Sequence, residues 1–368
     1  MAAALPAAIM RLAAAAAALA HGAAATAAAR GPPTPGPGLG PWASEPPGPH
    51  GLSASNLALA AQRLATATPV RDCFVVVRNG VVVHESYRSG MDNSSLVLID
   101  SIGKTMTALI VGHAVSLGLL DIDKPLQSYG VQPAEIDGPA GAKWKTWWPN
   151  VTTRHLLSQT SGQGQYPPGT AFTYDSDEYI GHLSPLLRKV SGVTPREFAV
   201  RFASQLGLAH LYRYEGAPPD GLADDEFEIG GGQPMTCPDI ARIGQLLLNK
   251  GRWRSAEPNG APVQLVTEEW AEAMSTPSMP AVSSSYGFLT YNNLPPPSFP
   301  NCCSPRWSEP PWTGCPGYAF GHNRNMKKGP YLGDDLVTSP ADGDAASALV
   351  PFAPPDIIIS CVRSTLPF

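Results

Sequence analysis

The sequence predicts an α+β fold: an antiparallel sheet built from N- and C-terminal segments and flanked by helices, with an inserted, mostly helical region. Three observations lead there. Residues 73–87, CFVVVRNGVVVHESY, are two β-branched runs joined by Asn79-Gly80, the pair that suits a type I′ hairpin turn. Residues 356–363, DIIISCVR, form another β-rich run near the opposite end of the chain. Between them apolar residues recur at helical spacing in several separate stretches. With 368 residues, 43% of them hydrophobic, the chain can bury a sizeable core.

Residues 1–30 carry Arg11 and Arg30, no acidic residue, and an Ala-rich apolar run ending in small residues. That composition reads as a targeting segment. A secretory signal cleaved near GAAATAAA places the protein in the secretory pathway or outside the cell; an organelle transit peptide is the competing reading, because arginine without acid suits it too. Residues 31–50, GPPTPGPGLGPWASEPPGPH, hold neither helix nor strand and read as a linker, which leaves 51–368 as one domain. No later stretch is apolar over about 18 residues, so no membrane span is expected in the mature chain. Asn93-Ser-Ser and Asn150-Val-Thr are glycosylation sequons that matter only in a secretory compartment.

Net charge is −5 and no basic stripe is interleaved with aromatics, which argues against a nucleic-acid partner. The six cysteines, with a secretory leader, permit disulfides. Cys302 or Cys303 with Cys315 closes a short loop, and Cys73 can meet Cys361 if their strands are neighbours. There is no C-x-x-C and no H-E-x-x-H, so neither a metal nor another cofactor is expected.

The elements follow in order. Residues 53–68 have the spacing of a first helix, and the 73–87 hairpin comes next. Leu96–Ile99 is strand-like and leads through Asp100 into a helix that starts at Ser101, with Met106, Leu109, Ile110, His113, Ala114 and Leu117 on its apolar positions. Residues 121–176 read as largely loop, interrupted by a short helix over 153–159 that Thr152 or Thr153 caps. Residues 178–190 are helical, with Pro185 either kinking the helix or marking a second start, and Gly192 at the C-cap. Further helices cover 195–206 and 237–249, the latter with Thr236 as cap and Pro238 in its first turn. Strand candidates then lie at 286–291, 317–320 and 356–363, and 292–316 is an insert too rich in proline for regular structure.

The chemistry centres on DSIGKTMT. Helical geometry places residues i and i+3 about 5–6 Å apart at Cβ, so Ser101 and Lys104 can touch. A helix start also offers free N–H groups to an oxyanion formed at Ser101. Serine needs a base, and lysine serves as one only where apolar burial or neighbouring positive charge lowers its pKa. The plainer reading is a capping serine beside a solvent-facing lysine.

The surroundings of this motif resemble the serine hydrolases of the beta-lactamase and penicillin-binding-protein superfamily, in particular the class C beta-lactamase-like branch with its peptidases, esterases and amidases. DSIGKTMTALIVGHAVSLGLLDIDKPLQSYG is similar to that family's nucleophile helix and its exit, TTRHLLSQTSG to the next landmark, PGTAFTYDSDEYIGHLSPLLRKVSG to its tyrosine motif, and GGGQPMTCPDIARIGQLLLNKGRW to the loop and helix beyond. The resemblance spans 53–293 and 317–363. It implies a beta-lactamase/transpeptidase-like fold, Ser101 as acylated nucleophile, Lys104 as its activating partner and Tyr174 as the phenol that relays protons to the leaving group. Ser176 stands where the family most often has asparagine, a departure shared with its esterase and oligomeric-amide hydrolases. A third box, lysine or histidine, then threonine or serine, then glycine, finds its nearest candidate in FGHNRN, with Gly321, His322 and Asn323 as substrate- or oxyanion-binding residues; His322 either holds a substrate carboxylate or packs at a strand end. The resemblance also implies a C-terminal helix, which the sequence up to Phe368 does not show.

The expected function is thus a cofactor-free serine hydrolase acting on a small ester, amide or peptide. Beta-lactam or D-alanyl-peptide turnover, and a non-catalytic relative keeping the fold as a binding module, are the alternatives. Trp144, Trp147 and Trp148 either cradle an apolar acyl group or pack in the core. The 292–316 insert reads as a lid over the site or as a solvated loop pinned by a disulfide. His113 reads as a satisfied core histidine.

Overall fold

The central hairpin is formed by β1 (Arg71–Arg78) and β2 (Val81–Tyr87), joined by Asn79 and Gly80 at φ 52° and 77°, the two left-handed residues a type I′ turn needs. It is seen in a computed structural model that describes residues 36–67, 71–99, 102–134, 138–174, 179–208, 226–227, 229–231, 233–254, 260–283, 286–290 and, for the backbone, 357–363. Strand β7 (Ile357–Arg363) pairs antiparallel with β1, giving the order β2-β1-β7. The two ends of the chain therefore do share one sheet.

Alternation along β1 divides the sheet into two faces. Cys73, Val75 and Val77 enter the main core, while Phe74 and Val76 join Val83 under Leu57, Ala60 and Ala61 of α1 (Ala54–Ala67). Beyond β2 come β3 (Val97–Leu98), α2 (Gly103–Ser116), α3 (Gly138–Trp147), α4 (Thr153–Leu157), α5 (Leu183–Ser191) and α6 (Pro195–Leu206). Then follow β4 (Pro234–Met235), α7 (Cys237–Leu248), β5 (Arg252–Trp253), β6 (Val263–Gln264) and α8 (Glu268–Ser275). Threonines cap α6, α7 and α8: Thr194, Thr236 and Thr267 accept from the backbone N–H three residues on, contacts worth about 1 kcal/mol each. At α4 the cap is Thr152, in a capping box with His155.

Helix α2 is buried on every face from Gly103 to Ala114. Trp270 of α8 seats on Gly112, where a Cβ would fall 2.1 Å from the indole nitrogen, and that nitrogen donates to the Ala108 carbonyl at 3.0 Å. His113 donates from Nδ1 to the Leu265 carbonyl at 2.7 Å between Phe198 and Phe202, and burial depresses its pKa. It is a satisfied core residue, as expected.

Several sequence expectations are corrected. Residues 138–147 form α3 rather than loop, because Trp144 is a fully buried anchor that outweighs weak local propensity. Residues 286–290 turn instead of continuing as a strand: the Gly287 N–H donates to the Thr290 carbonyl, Leu289 adopts φ 48°, and a Cβ at Gly287 would meet the Met274 carbonyl at 2.4 Å. The α8 helix was not anticipated, although Thr267-Glu-Glu is a start signal. Pro185 sits in the first turn of α5, after a separate 3-10 turn at Ile180–His182, so it marks a second start.

The Pro/Gly-rich stretch is irregular over its described residues 36–50, apart from a 3-10 turn at Gly48–His50, and it is held against the domain. Gly36 lies on the Trp253 ring, Trp42 Nε1 donates to the Pro238 carbonyl at 3.0 Å, and residues 43–45 pair with Val82 of β2. This covers the outer edge of β2, where unpaired backbone groups would otherwise face solvent.

Cys73 of β1 and Cys237 at the start of α7 come together, their Cα atoms 6.5 Å apart, a spacing a disulfide spans. β1 and β7 are neighbours, yet their register sets Cys361 opposite Phe74 rather than Cys73. The strand candidate at 317–320 and the cysteines at 302, 303 and 315 lie outside the described residues.

Candidate active site

Lys104, in the first turn of α2, is 1% exposed. Its Nζ donates to the Gly230 carbonyl at 2.6 Å and lies 4.9 Å from the centre of the Tyr174 ring, within cation–π range. Two of the three expected catalytic side chains are thus in contact although 70 residues separate them in sequence (174 minus 104). The third, Ser101, lies outside the described residues, as do Ser176, Gly321, His322 and Asn323.

The chain reaches this geometry through Gly230 and Gly231, ahead of β4. β3 pairs with β4, and the Ile99 N–H donates to the Gln233 carbonyl, which brings residues 229–231 and Gln233 across the start of α2. The approach is so close that a Cβ on Gly103 would fall 2.3 Å from Gln233 Oε1 and 2.6 Å from Gly231 Cα. Only glycine fits there. Thr107 Oγ1 donates to the Ile229 carbonyl at 2.9 Å, a second tie one turn along the helix. Thr105 Oγ1 is 3.4 Å from Thr290 Oγ1, so the 286–290 turn packs on the same first turn of α2.

Tyr174, half-buried, follows a segment clasped on both sides of Thr173. The Thr173 N–H donates to the Gln159 carbonyl at 2.9 Å, and Gln163 Nε2 donates to the Thr173 carbonyl at 2.8 Å. Sequence reasoning singled out neither glutamine, nor the Gly230 carbonyl. The available signals were the three consecutive glycines at 230–232 and polar residues on both sides of Ser161-Gly162.

Trp144 and Trp148 belong to the core rather than to a substrate cradle. Trp144 meets Tyr179 edge-on at 4.9 Å, Trp148 stacks at 4.8 Å on His182, and His182 uses both ring nitrogens, towards the Ala134 N–H and the Tyr179 carbonyl. Trp147 is half-buried. Arg154 grips Asp123 through two hydrogen bonds of 2.6 and 2.8 Å, which holds the Asp123 carboxyl below the usual range. Burial, reinforced by the Arg154 charge, keeps the pKa of His155 low. Among the described residues no cluster of histidine, cysteine and carboxylate side chains suits a metal ion, and no helix is long and apolar enough to cross a membrane.

Residues 59–220 match the family model for Beta-lactamase. Over that stretch the chain is similar to the family. This is the serine-hydrolase family that the sequence motifs resemble, and several solved structures share the fold of this chain. A candidate beta-lactamase from Bacteroides dorei superposes with a TM-score of 0.58 at 14% identity, over 85% of this chain and 91% of its own. EstCE1, a hydrolase with promiscuous acyltransferase activity, gives 0.54 at 15% identity over 84% and 93%. A candidate 6-aminohexanoate-dimer hydrolase from Bacillus anthracis gives 0.52 at 16% identity over 82% and 75%. No curated protein matches the chain.

Proposed function

We propose that the protein hydrolyses a small ester or linear amide through an acyl-enzyme on Ser101, with Lys104 and Tyr174 as proton-transfer partners. The observation that carries this reading is the contact between the Lys104 amine and the Tyr174 ring, with Lys104 three residues after Ser101 in sequence and the motifs in the family order. An amine removed from water releases its proton more readily than an exposed one, which is what a base for serine requires.

In the first step Ser101 Oγ attacks the carbonyl carbon, and its proton passes to the Lys104–Tyr174 pair as the C–O bond forms. Collapse of the tetrahedral intermediate breaks the bond to the leaving group, which takes a proton from the Tyr174 hydroxyl. Water then attacks the acyl-enzyme by the reverse path, freeing Ser101 and the acid. N–H groups at a helix start are suited to stabilise the oxyanion. Tyr174-Asp-Ser176 favours esters and linear amides over beta-lactams, in line with the departure from the family's commoner asparagine.

The test combines labelling and turnover. A fluorophosphonate probe should label wild type and leave Ser101→Ala unlabelled, and Tyr174→Phe, which retains the ring over Lys104, should hydrolyse p-nitrophenyl esters about 100-fold more slowly. Well-folded wild type that neither labels nor turns over any ester, D-alanyl peptide or beta-lactam would instead point to a binding module.

A further inference from the structure

Gln163 is buried, 8% exposed, and stands at φ 49° between Gly162 at 79° and Gly164 at 65°. Such a backbone conformation suits glycine better than any residue with a side chain, and both neighbours are glycine. A side chain is nevertheless present at this one position, and it makes a specific contact: its Nε2 donates to the Thr173 carbonyl at 2.8 Å. The other backbone group of Thr173, its N–H, is taken by the Gln159 carbonyl at 2.9 Å, and Gln159 is likewise left-handed, at φ 59°. Thr173 is therefore fixed from two directions by one loop, immediately before the residue whose ring covers the Lys104 amine.

The loop is anchored in turn. The Tyr179 hydroxyl donates to the Gln163 carbonyl at 2.9 Å, and the Tyr179 ring packs edge-on against fully buried Trp144. A continuous set of contacts runs from the aromatic cluster of α3, through Tyr179 and Gln163, to the backbone that carries Tyr174.

We propose that Gln163 is a positioning residue for Tyr174, its side-chain amide holding the Thr173 carbonyl so that the phenol stays over Lys104. The proposal rests on the catalytic reading of Tyr174 given above. Gln163 reaches Tyr174 through the Thr173 carbonyl. Its effect reaches catalysis through geometry, to which proton transfer is sensitive at the scale of an ångström.

The experiment compares wild type, Gln163→Met and Gln163→Gly on a p-nitrophenyl ester across pH, with thermal unfolding in parallel. Methionine keeps the volume and removes the donor. Glycine removes the donor but suits the left-handed backbone, so it separates hydrogen bonding from backbone conformation. Both variants should lose roughly 10- to 100-fold in kcat with KM within about twofold of wild type. The limb of the pH–rate profile that belongs to the lysine–tyrosine pair should move as well. Tyr179→Phe, which frees the Gln163 carbonyl, should give a smaller loss of the same kind. Wild-type kcat in Gln163→Gly overturns the proposal, as does a loss that follows the unfolding temperature and leaves the pH profile in place. Failure of the catalytic reading is distinct from both, since wild type would then be neither active nor labelled at Ser101.

Discussion

Two buried cations lie on two helices, Lys104 in the first turn of α2 and Arg242 midway along α7, 1% and 5% exposed. Each is met by backbone carbonyls of a distant glycine-containing segment: Lys104 donates to Gly230, and Arg242 donates to Gly38 and Leu206 at 2.6 and 3.2 Å and also to Gly40. Each faces an aromatic ring, Tyr174 for the lysine and Trp42 for the arginine. The difference lies in what the cation can give away. A guanidinium does not release a proton in proteins, and this one uses its donors on three carbonyls with Asp239 3.7 Å away; burial pulls its pKa down while the Asp239 charge opposes the change. An amine beside a phenol can exchange protons. Burial of a positive charge is therefore no sign of catalysis by itself; the acidity of the cation and the chemistry of its neighbour decide.

The sharpest way to break this contrast is to remove each charge while keeping the volume. Lys104→Met should lower kcat on p-nitrophenyl esters by roughly 10²- to 10⁴-fold with little change in the urea midpoint. Activity within tenfold of wild type would place the two cations in the same structural class. Arg242→Met should show the opposite pattern. It strands the Gly38, Gly40 and Leu206 carbonyls and the Asp239 carboxylate, so urea unfolding should report a loss of about 3 kcal/mol, with kcat of the folded fraction unchanged. A smaller effect, sharpening the account of the buried histidines, is expected with pH. His113 and His155 are held neutral mainly by burial, so the unfolded chain binds protons that the folded one refuses. Their contribution is complete above the unfolded value of about 6.5 and is lost as pH falls below it, so the urea midpoint should drop between pH 7 and pH 5. A flat midpoint over that window would show that these imidazoles protonate in the folded state.

Much of this was readable from local chemistry. Asn79-Gly80 specified the hairpin, and Thr236 and the Thr152-Thr153 pair marked helix starts because a cap is a contact within four residues. The meeting of β1 with β7 followed from β-rich runs at the two ends of the chain. What escaped is non-local. Nothing near Lys104 names Gly230 as its acceptor, since the two lie 126 residues apart. The α3 helix opens Gly-Pro-Ala-Gly and lacks a clear periodic stripe, and it forms around Trp144 and the ring cluster with Tyr179 and His182. Aromatic and β-branched residues at 286–290 suggested a strand, whereas close packing against the Met274 carbonyl at Gly287 makes a turn. The docking of residues 36–45 depends on Arg242 and Val82, which the Pro/Gly composition of that stretch cannot reveal.

The central claim is that a buried amine beside a phenol activates a serine for acyl transfer. Peptide mass mapping of protein quenched during turnover of a p-nitrophenyl ester tests it most directly. An acyl adduct on Ser101 in wild type, absent from Lys104→Met, is the result expected. Acylation at another residue, or undiminished turnover by Ser101→Ala, would contradict it.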